Sequence, residues 1–137
     1  MKKYFPAIAV ILIFTSFSFS QVRFDDYFVN KTLRFDFIQA GDASNSTLYF
    51  EQMKCVPDWG GNIKNLIDKF NYGEYRFFVY DYGTQNLIYS RGFSTLFQER
   101  QSSDEAKSVS RSFYETIIFP YPKKTVKLEI HKRNRDG

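Results

Sequence analysis

Along this chain, apolar and polar residues alternate over short stretches that are separated by turn-forming residues. TLRFDFI places Leu33, Phe35 and Phe37 on one side and Arg34 and Asp36 on the other, the period-two pattern of a half-buried strand. AGDASNS supplies a turn, and TLYFEQM a second strand with Leu48 and Phe50 on one face, so the two are expected to pair antiparallel. EYRFFVYDYGTQNLIYSRGF reads as a central hairpin. Tyr75, Phe77 and Val79 point one way and Arg76, Phe78 and Tyr80 the other, and rings on both sides predict cover on both faces. Gly83 is expected to supply a positive φ at the turn, Leu87, Ile88 and Tyr89 to begin the return, and Gly92 to mark a bulge or a close approach. RSFYETIIFPYP predicts a strand ended by Pro120 and Pro122, neither of which has an N–H for a ladder. TVKLEIH is the cleanest alternation, with Val126, Leu128 and Ile130 inward and Lys127, Glu129 and His131 outward.

Helical signals are few. In CVPDWGGNIKNLIDKFNYG, Pro57 and the Gly60-Gly61 pair break any strand, and Asn62 is expected to cap a short helical turn through Ile63, Leu66 and Ile67 within a long ordered crossover. SSDEAKSV predicts a short helix with Ser102 and Glu105 at capping-box spacing. VRFDDYFVN carries Phe24, Tyr27 and Phe28, so it is expected to pack down rather than to hang free. About six strands with turns at fairly regular spacing predict an all-β fold, an antiparallel β-sandwich with one or two short peripheral helices, with a β-barrel as the alternative.

MKKYFPAIAVILIFTSFSFS has the layout of an export signal. Lys2 and Lys3 form a basic start, Ala7 to Phe14 an apolar run, and Ser18 and Ser20 the small residues before a cleavage site that leaves Gln21 first. The run is too short for a bilayer core of about 30 Å, so no stable membrane span is expected. The reading is of residues 1–20 as signal peptide and residues 21–137 as one β-sandwich domain, exported to the periplasm, the cell surface or the medium. The formal charge of +4 drops to +2 once the two lysines of this segment are removed. The remaining positive excess lies in KKTVKLEIHKRNRDG, a solvated strand face, and no nucleic-acid partner is expected. NRDG is a turn signal after a good strand, which predicts that the natural polypeptide continues.

A chain that is 43% hydrophobic and 20% aromatic is too apolar for disorder. Cys55 is the only cysteine, so no internal disulfide exists and packing must hold the domain; Cys55 itself is expected to be a small buried residue. Eight of the twenty-three residues from Phe70 to Gly92 are aromatic, and a disulfide-free domain of this size needs most of them inside. Trp59, in a Pro/Gly-rich loop, and Tyr72, just before the hairpin, are the contact candidates, because Trp and Tyr join an apolar ring to a polar tip.

Groups for catalysis are scarce. Zinc chemistry needs several His, Asp, Glu or Cys ligands, and the chain has one His and one Cys, distant in sequence. His131 falls on a solvent-facing strand position, and no H-E-x-x-H, G-x-S-x-G or phosphate loop is present. Asp25-Asp26 and Asp104-Glu105 suit turns and helix starts better than a glycosidase pair. Asn45-Ser46-Thr47 fits the glycan acceptor pattern, which is short enough to arise by chance. No catalytic and no metal residue is assigned.

DDYFVNKTLRFDF, WGGNIKNLIDKFNYGEYRFFVYD, LIYSRGFSTLFQERQSSDEAK and RSFYETIIFPYPKKTVKLEI together resemble the N-terminal, non-catalytic domain of the bacterial IgA-peptidase family of secreted zinc metallopeptidases. One position departs from the pattern: Arg100 stands where an aromatic is expected, as in E-W-Q. The resemblance implies a β-sandwich that precedes a catalytic domain, with the zinc and its H-E-x-x-H in that absent domain and no cofactor in this chain. It implies an accessory domain that packs against the protease domain or positions a protein or glycan substrate. The alternative is a free-standing secreted or cell-surface binding module for glycan or protein.

Overall fold

The computed structural model describes residues 21–133; the expected export signal of residues 1–20, and the turn expected at NRDG, lie outside them. A single helical turn, α1 (Phe24–Tyr27), leads into β1 (Phe28–Gly41). Then come β2 (Ser46–Pro57), β3 (Tyr75–Asp81), β4 (Leu87–Phe93), α2 (Leu96–Gln101), a 3₁₀ turn (Glu105–Lys107), β5 (Arg111–Pro122) and β6 (Val126–Lys132). Two three-stranded antiparallel sheets result, ordered β2-β1-β5 and β4-β3-β6. The β-sandwich with short peripheral helices is therefore the fold.

The interior is built from rings. Phe77 of β3 lies 5.8 Å from the Tyr89 ring of β4 and 6.1 Å from Phe119 of β5, so one phenyl group joins three strands across both sheets. Phe28, Phe37, Val79, Ile88 and Ile117, with Trp59 and Leu66 of the crossover, complete the buried cluster, and Leu128 and Ile130 pack on it from β6. Each buried Phe contributes roughly 1.5–3 kcal/mol, which is how the domain stands without a disulfide. The alternation of Tyr75, Phe77 and Val79 inward is as the sequence predicts. Their outward neighbours have no second layer over them. Arg76 lies over the Phe78 ring at 5.0 Å and Lys127 over Tyr80 at 4.8 Å, so the cover comes from side chains of the same sheet.

Several local expectations are corrected. Cys55 is exposed, because β2 is an edge strand that the smaller sheet does not cover. Asn62 does gather two backbone donors, Lys64 N–H at 2.7 Å and Asn65 N–H at 2.9 Å, but no helix follows. The positive φ of the β3–β4 turn is on Gln85 (58°), not Gly83, and the Asp81 carboxylate holds that turn by accepting from Thr84 N–H and Oγ1–H. Pro120 sits inside β5, opposite Thr32, where the β1–β5 register shifts and no ladder donor is required. The capping box falls elsewhere: Ser102 ends α2, and the true cap is Thr95, whose Oγ1 accepts from Gln98 N–H at 3.1 Å.

β1, the central strand of its sheet, buries polar groups on both faces. On the inner face, fully buried Gln39 donates through Nε2 to the Tyr75 hydroxyl at 2.7 Å, a polar tie between the sheets. On the outer face, Asp36, expected in solvent, is buried beneath its neighbours. It accepts from Arg34 Nε at 2.6 Å, Thr116 Oγ1 at 2.7 Å and Gln52 Nε2 at 3.0 Å, which joins all three strands. Burial pushes the Asp36 carboxyl up, but the Arg34 and Thr116 hydrogen bonds and the Arg34 charge outweigh it and hold the group below the ordinary carboxylate value.

A depressed folded-state value means that this carboxylate stabilises the fold above the unfolded-state pKa of about 3.9, and that the contribution disappears as pH falls through the lower folded value. Asp36→Asn is expected to lose about 1–3 kcal/mol at pH 7, since hydrogen bonds to a charged acceptor are lost. The gap from the parent should shrink as pH is taken below about 4. Urea unfolding of both proteins at pH 7 and pH 3 measures this; a gap that stays constant would contradict the network.

Candidate functional site

The crossover between β2 and β3 builds a sizeable groove in which chemical groups converge. Two residues of β1, Asn30 and Lys31, fall in its register shift against β5, and Asn30 Oδ1 accepts the Trp59 backbone N–H at 3.3 Å. The Trp59 indole donates to the Asn62 carbonyl at 3.3 Å and meets Tyr89 edge-on at 6.1 Å. A Cβ on Gly61 would stand 2.2 Å from the indole, so only glycine lets the loop close over it. Beyond this, Leu66 is buried and the chain runs beside β4: Ser90 N–H donates to the Leu66 carbonyl at 3.0 Å and Asp68 N–H to the Ser90 carbonyl at 3.2 Å.

Asp68 then fixes the next turn. Its Oδ1 accepts Phe70 N–H at 2.9 Å and its Oδ2 accepts Gly92 N–H at 3.1 Å. Arg76 donates to the Asp68 carbonyl and to Ser90 Oγ. Gly92 makes the close approach that the sequence predicts: an added Cβ would lie 1.8 Å from the Tyr72 carbonyl oxygen. Between Trp59 and β4 lies a groove of about 760 Å³, with Ile67, Tyr89 and Ile118 as apolar walls and Lys69, Phe70 and Arg91 at its lining. Burial raises the Tyr89 hydroxyl pKa, which the Arg91 guanidinium partly offsets, so the phenol stays protonated at neutral pH.

The two contact candidates have different surroundings. Trp59 is only 8% exposed and belongs to the core cluster, although part of it lines the groove. Tyr72 is 74% exposed and Phe70 75%; their rings lie parallel within 6° at 5.8 Å, an uncovered aromatic ledge beside the groove. Phe70, Lys69 and Arg91 were not singled out by sequence reasoning. The signal for Phe70 was present, an aromatic two residues from Tyr72 in a polar loop, whereas the approach of Lys69 and Arg91 depends on a pairing between distant segments.

Reactive groups do not converge here. Among the described residues no group of three or more His, Cys, Asp or Glu stands close enough to hold a metal ion. His131 contacts Glu129 at 2.9 Å on the outer face of β6. Glu105 is bound by Arg111, and Arg100, in the position of the expected aromatic, reaches the same carboxylate at 3.4 Å. No helix among the described residues is long and apolar enough to cross a membrane. The groove combines apolar walls with exposed cationic and aromatic side chains at its lining.

Gly92→Ala tests the coupling of ledge and sheet. The new methyl meets backbone rather than a mobile side-chain tip, so a loss of about 1–3 kcal/mol is expected from overpacking, with altered fluorescence of the Trp59 environment. Thermal unfolding measures it, and an unchanged midpoint would show that the crossover yields freely.

No curated protein matches this chain. Residues 23–137 match the family described as Peptidase M64 N-terminus, which covers both sheets, the crossover and the groove. The chain belongs to that family and is the N-terminal domain of an M64 peptidase.

Proposed function

We propose that this chain is a non-catalytic accessory domain of a secreted zinc metallopeptidase, one that packs against the protease domain and helps to place a protein substrate. The zinc belongs to the protease domain, and this chain contributes no ligand to it. Residues 1–20 act as the export signal in this reading, cleaved between Ser20 and Gln21.

One observation carries the packing role. Leu48, Phe50 and Met53 of β2 stand opposite Gln39, Phe37 and Phe35, on the face of the large sheet that elsewhere forms the core. They are nevertheless 40%, 59% and 60% exposed. Inner-face side chains in the middle of a twelve-residue strand have no reason to be apolar unless something covers them, and a contiguous apolar patch of this kind marks an interaction surface. Family membership supports a protease domain of the same family as that partner.

The test is to mix this chain with a separately produced M64 protease domain and measure association by calorimetry, with turnover of a protein substrate followed alongside. Binding in the range of about 10 μM or tighter is expected for a specific contact between domains. Phe50→Asp with Met53→Asp should weaken it at least about ten-fold; because Phe50 also packs on the Phe35 ring at 5.4 Å, the pair is expected to cost about 1 kcal/mol of stability, and urea unfolding checks that the variant stays folded in the assay. Absence of association together with unchanged turnover would overturn the reading, as would peptide hydrolysis by this chain alone.

A further inference from the structure

The groove between the crossover and β4 has an unequal supply of hydrogen-bonding groups. Several of its acceptors are engaged internally. Both Asp68 oxygens accept backbone N–H groups, Asn62 Oδ1 accepts from Lys64 and Asn65, and Ser90 Oγ accepts from Asp68 N–H and Arg76. Its donors are in surplus. Lys69 and Arg91 line the groove, both are exposed, and neither forms an ion pair with a carboxylate among the described residues. Arg76 stands behind them with its Nε buried and unpartnered. A ligand that fits must therefore bring acceptors, and preferably negative charge.

The walls narrow the class further. Ile67, Ile118 and Tyr89 are apolar, and Phe70 with its stacked neighbour Tyr72 forms an exposed aromatic edge. A neutral sugar would leave the exposed Lys69 and Arg91 charges without a counter-charge, and half of the acceptor capacity of the one carboxylate in the groove already serves two backbone donors. Aliphatic and aromatic walls with a cationic lining match an acidic residue next to an apolar one. The volume of about 760 Å³ lies within the range of ligand sites, about 300–1,000 Å³, and admits a few residues of extended peptide.

We propose that this groove binds an extended peptide segment, with an acidic side chain held by Lys69 and Arg91 and the following apolar side chain lying against Phe70 and Tyr72. The inference deepens the accessory-domain reading and rests on it only for the identification of that peptide as part of a peptidase substrate. The Arg91 fork suits a carboxylate in two-point contact, and Lys69 supplies a second positive charge on a flexible stem. Desolvation by the apolar walls strengthens both interactions.

The experiment is an NMR titration of the isotope-labelled chain with three probes at equal concentration: acetyl-Ala-Glu-Phe-Leu-Ala-amide, its Gln counterpart, and a trimer of galacturonic acid. The Glu peptide is expected to shift the amide signals of Lys69, Phe70 and Arg91 saturably, and the Gln peptide to bind at least about ten-fold more weakly. Binding should weaken in added salt. Lys69→Ala combined with Arg91→Ala should remove the preference for Glu with no change in thermal midpoint, and Tyr72→Ser should weaken both peptides alike. Equal binding of the Glu and Gln peptides, binding of the acidic sugar alone, or shifts confined to β2 would each overturn the proposal. The protease domain is absent from this titration, so its outcome is separable from the β2 association.

Discussion

A sheet whose strands run seven residues cannot cover one whose strands run twelve to fourteen. At about 3.3 Å per residue, β3, β4 and β6 extend some 23 Å, whereas β1 extends some 46 Å. The aromatic cluster around Phe77 fills the overlap between the sheets, and everything beyond the overlap must be closed by other means. Near the start of β1 the crossover does this, placing Trp59 against Tyr89 and sealing itself with Gly61. At the far end α2 does it, with Phe97 completely buried and set edge-on against Phe113 of β5 at 6.2 Å. Along β2 nothing among the described residues does it. The groove follows from this mismatch in strand length, and the bare apolar strip from the edge position of β2, whose Leu48 and Phe50 are exposed beside buried Gln39 and Phe37.

The mismatch also explains the demands on β1. As the central strand of the longer sheet it is covered on its inner face by rings and on its outer face only by neighbours in its own sheet. Asp36 becomes buried there because Arg34, Gln52 and Thr116 converge on it from three strands. Three donors surround one carboxylate, so the cost of burying the charge is met by hydrogen bonds, and the register of both flanking strands is specified at one point. Gln39 does comparable work inward. Its Nε2 bond to Tyr75 ties the small sheet to the large one, while its Oε1 is buried without a partner among the described residues.

What the sequence made legible follows from the range of the interaction. Tyr75/Phe77/Val79 and Val126/Leu128/Ile130 could be read because a strand's period of two is local, and Gly92 because a glycine in a strand announces a close approach. Cys55, Asp36 and Gln39 could not be read, since their burial depends on which strand is central, which an edge, and how far the partner sheet reaches. Pro120 broke its rule for a similar reason: the shift opposite Thr32 removes the need for its missing N–H, and that shift is invisible from β5 alone. Thr95-Leu96-Phe97-Gln98 is a different case. It carries capping-box spacing as plainly as Ser102 to Glu105 does, and the local signal existed for both. Phe97 decided between them by having a cavity to fill. Of the contact candidates, Tyr72 was legible as a ring outside the alternation, while its partner Phe70 and the charges of Lys69 and Arg91 needed the parallel pairing of Ile67 with Ser90 to become neighbours of one groove.

The abundance of rings and the poverty of titratable groups are two sides of one economy. Without disulfides, six strands of this size are held by large apolar side chains, and the loops that close the ends are drawn into the same interior through Trp59 and Leu66. Polar groups in those loops are then consumed in fixing backbone: Asp68, Asn62 and Ser90 accept from N–H groups that no ladder satisfies. What remains unspent is cationic, because ammonium and guanidinium groups on long stems reach solvent without disturbing the packing beneath them. A domain assembled under these constraints keeps exposed cationic groups around its groove and uncovered apolar surface along β2.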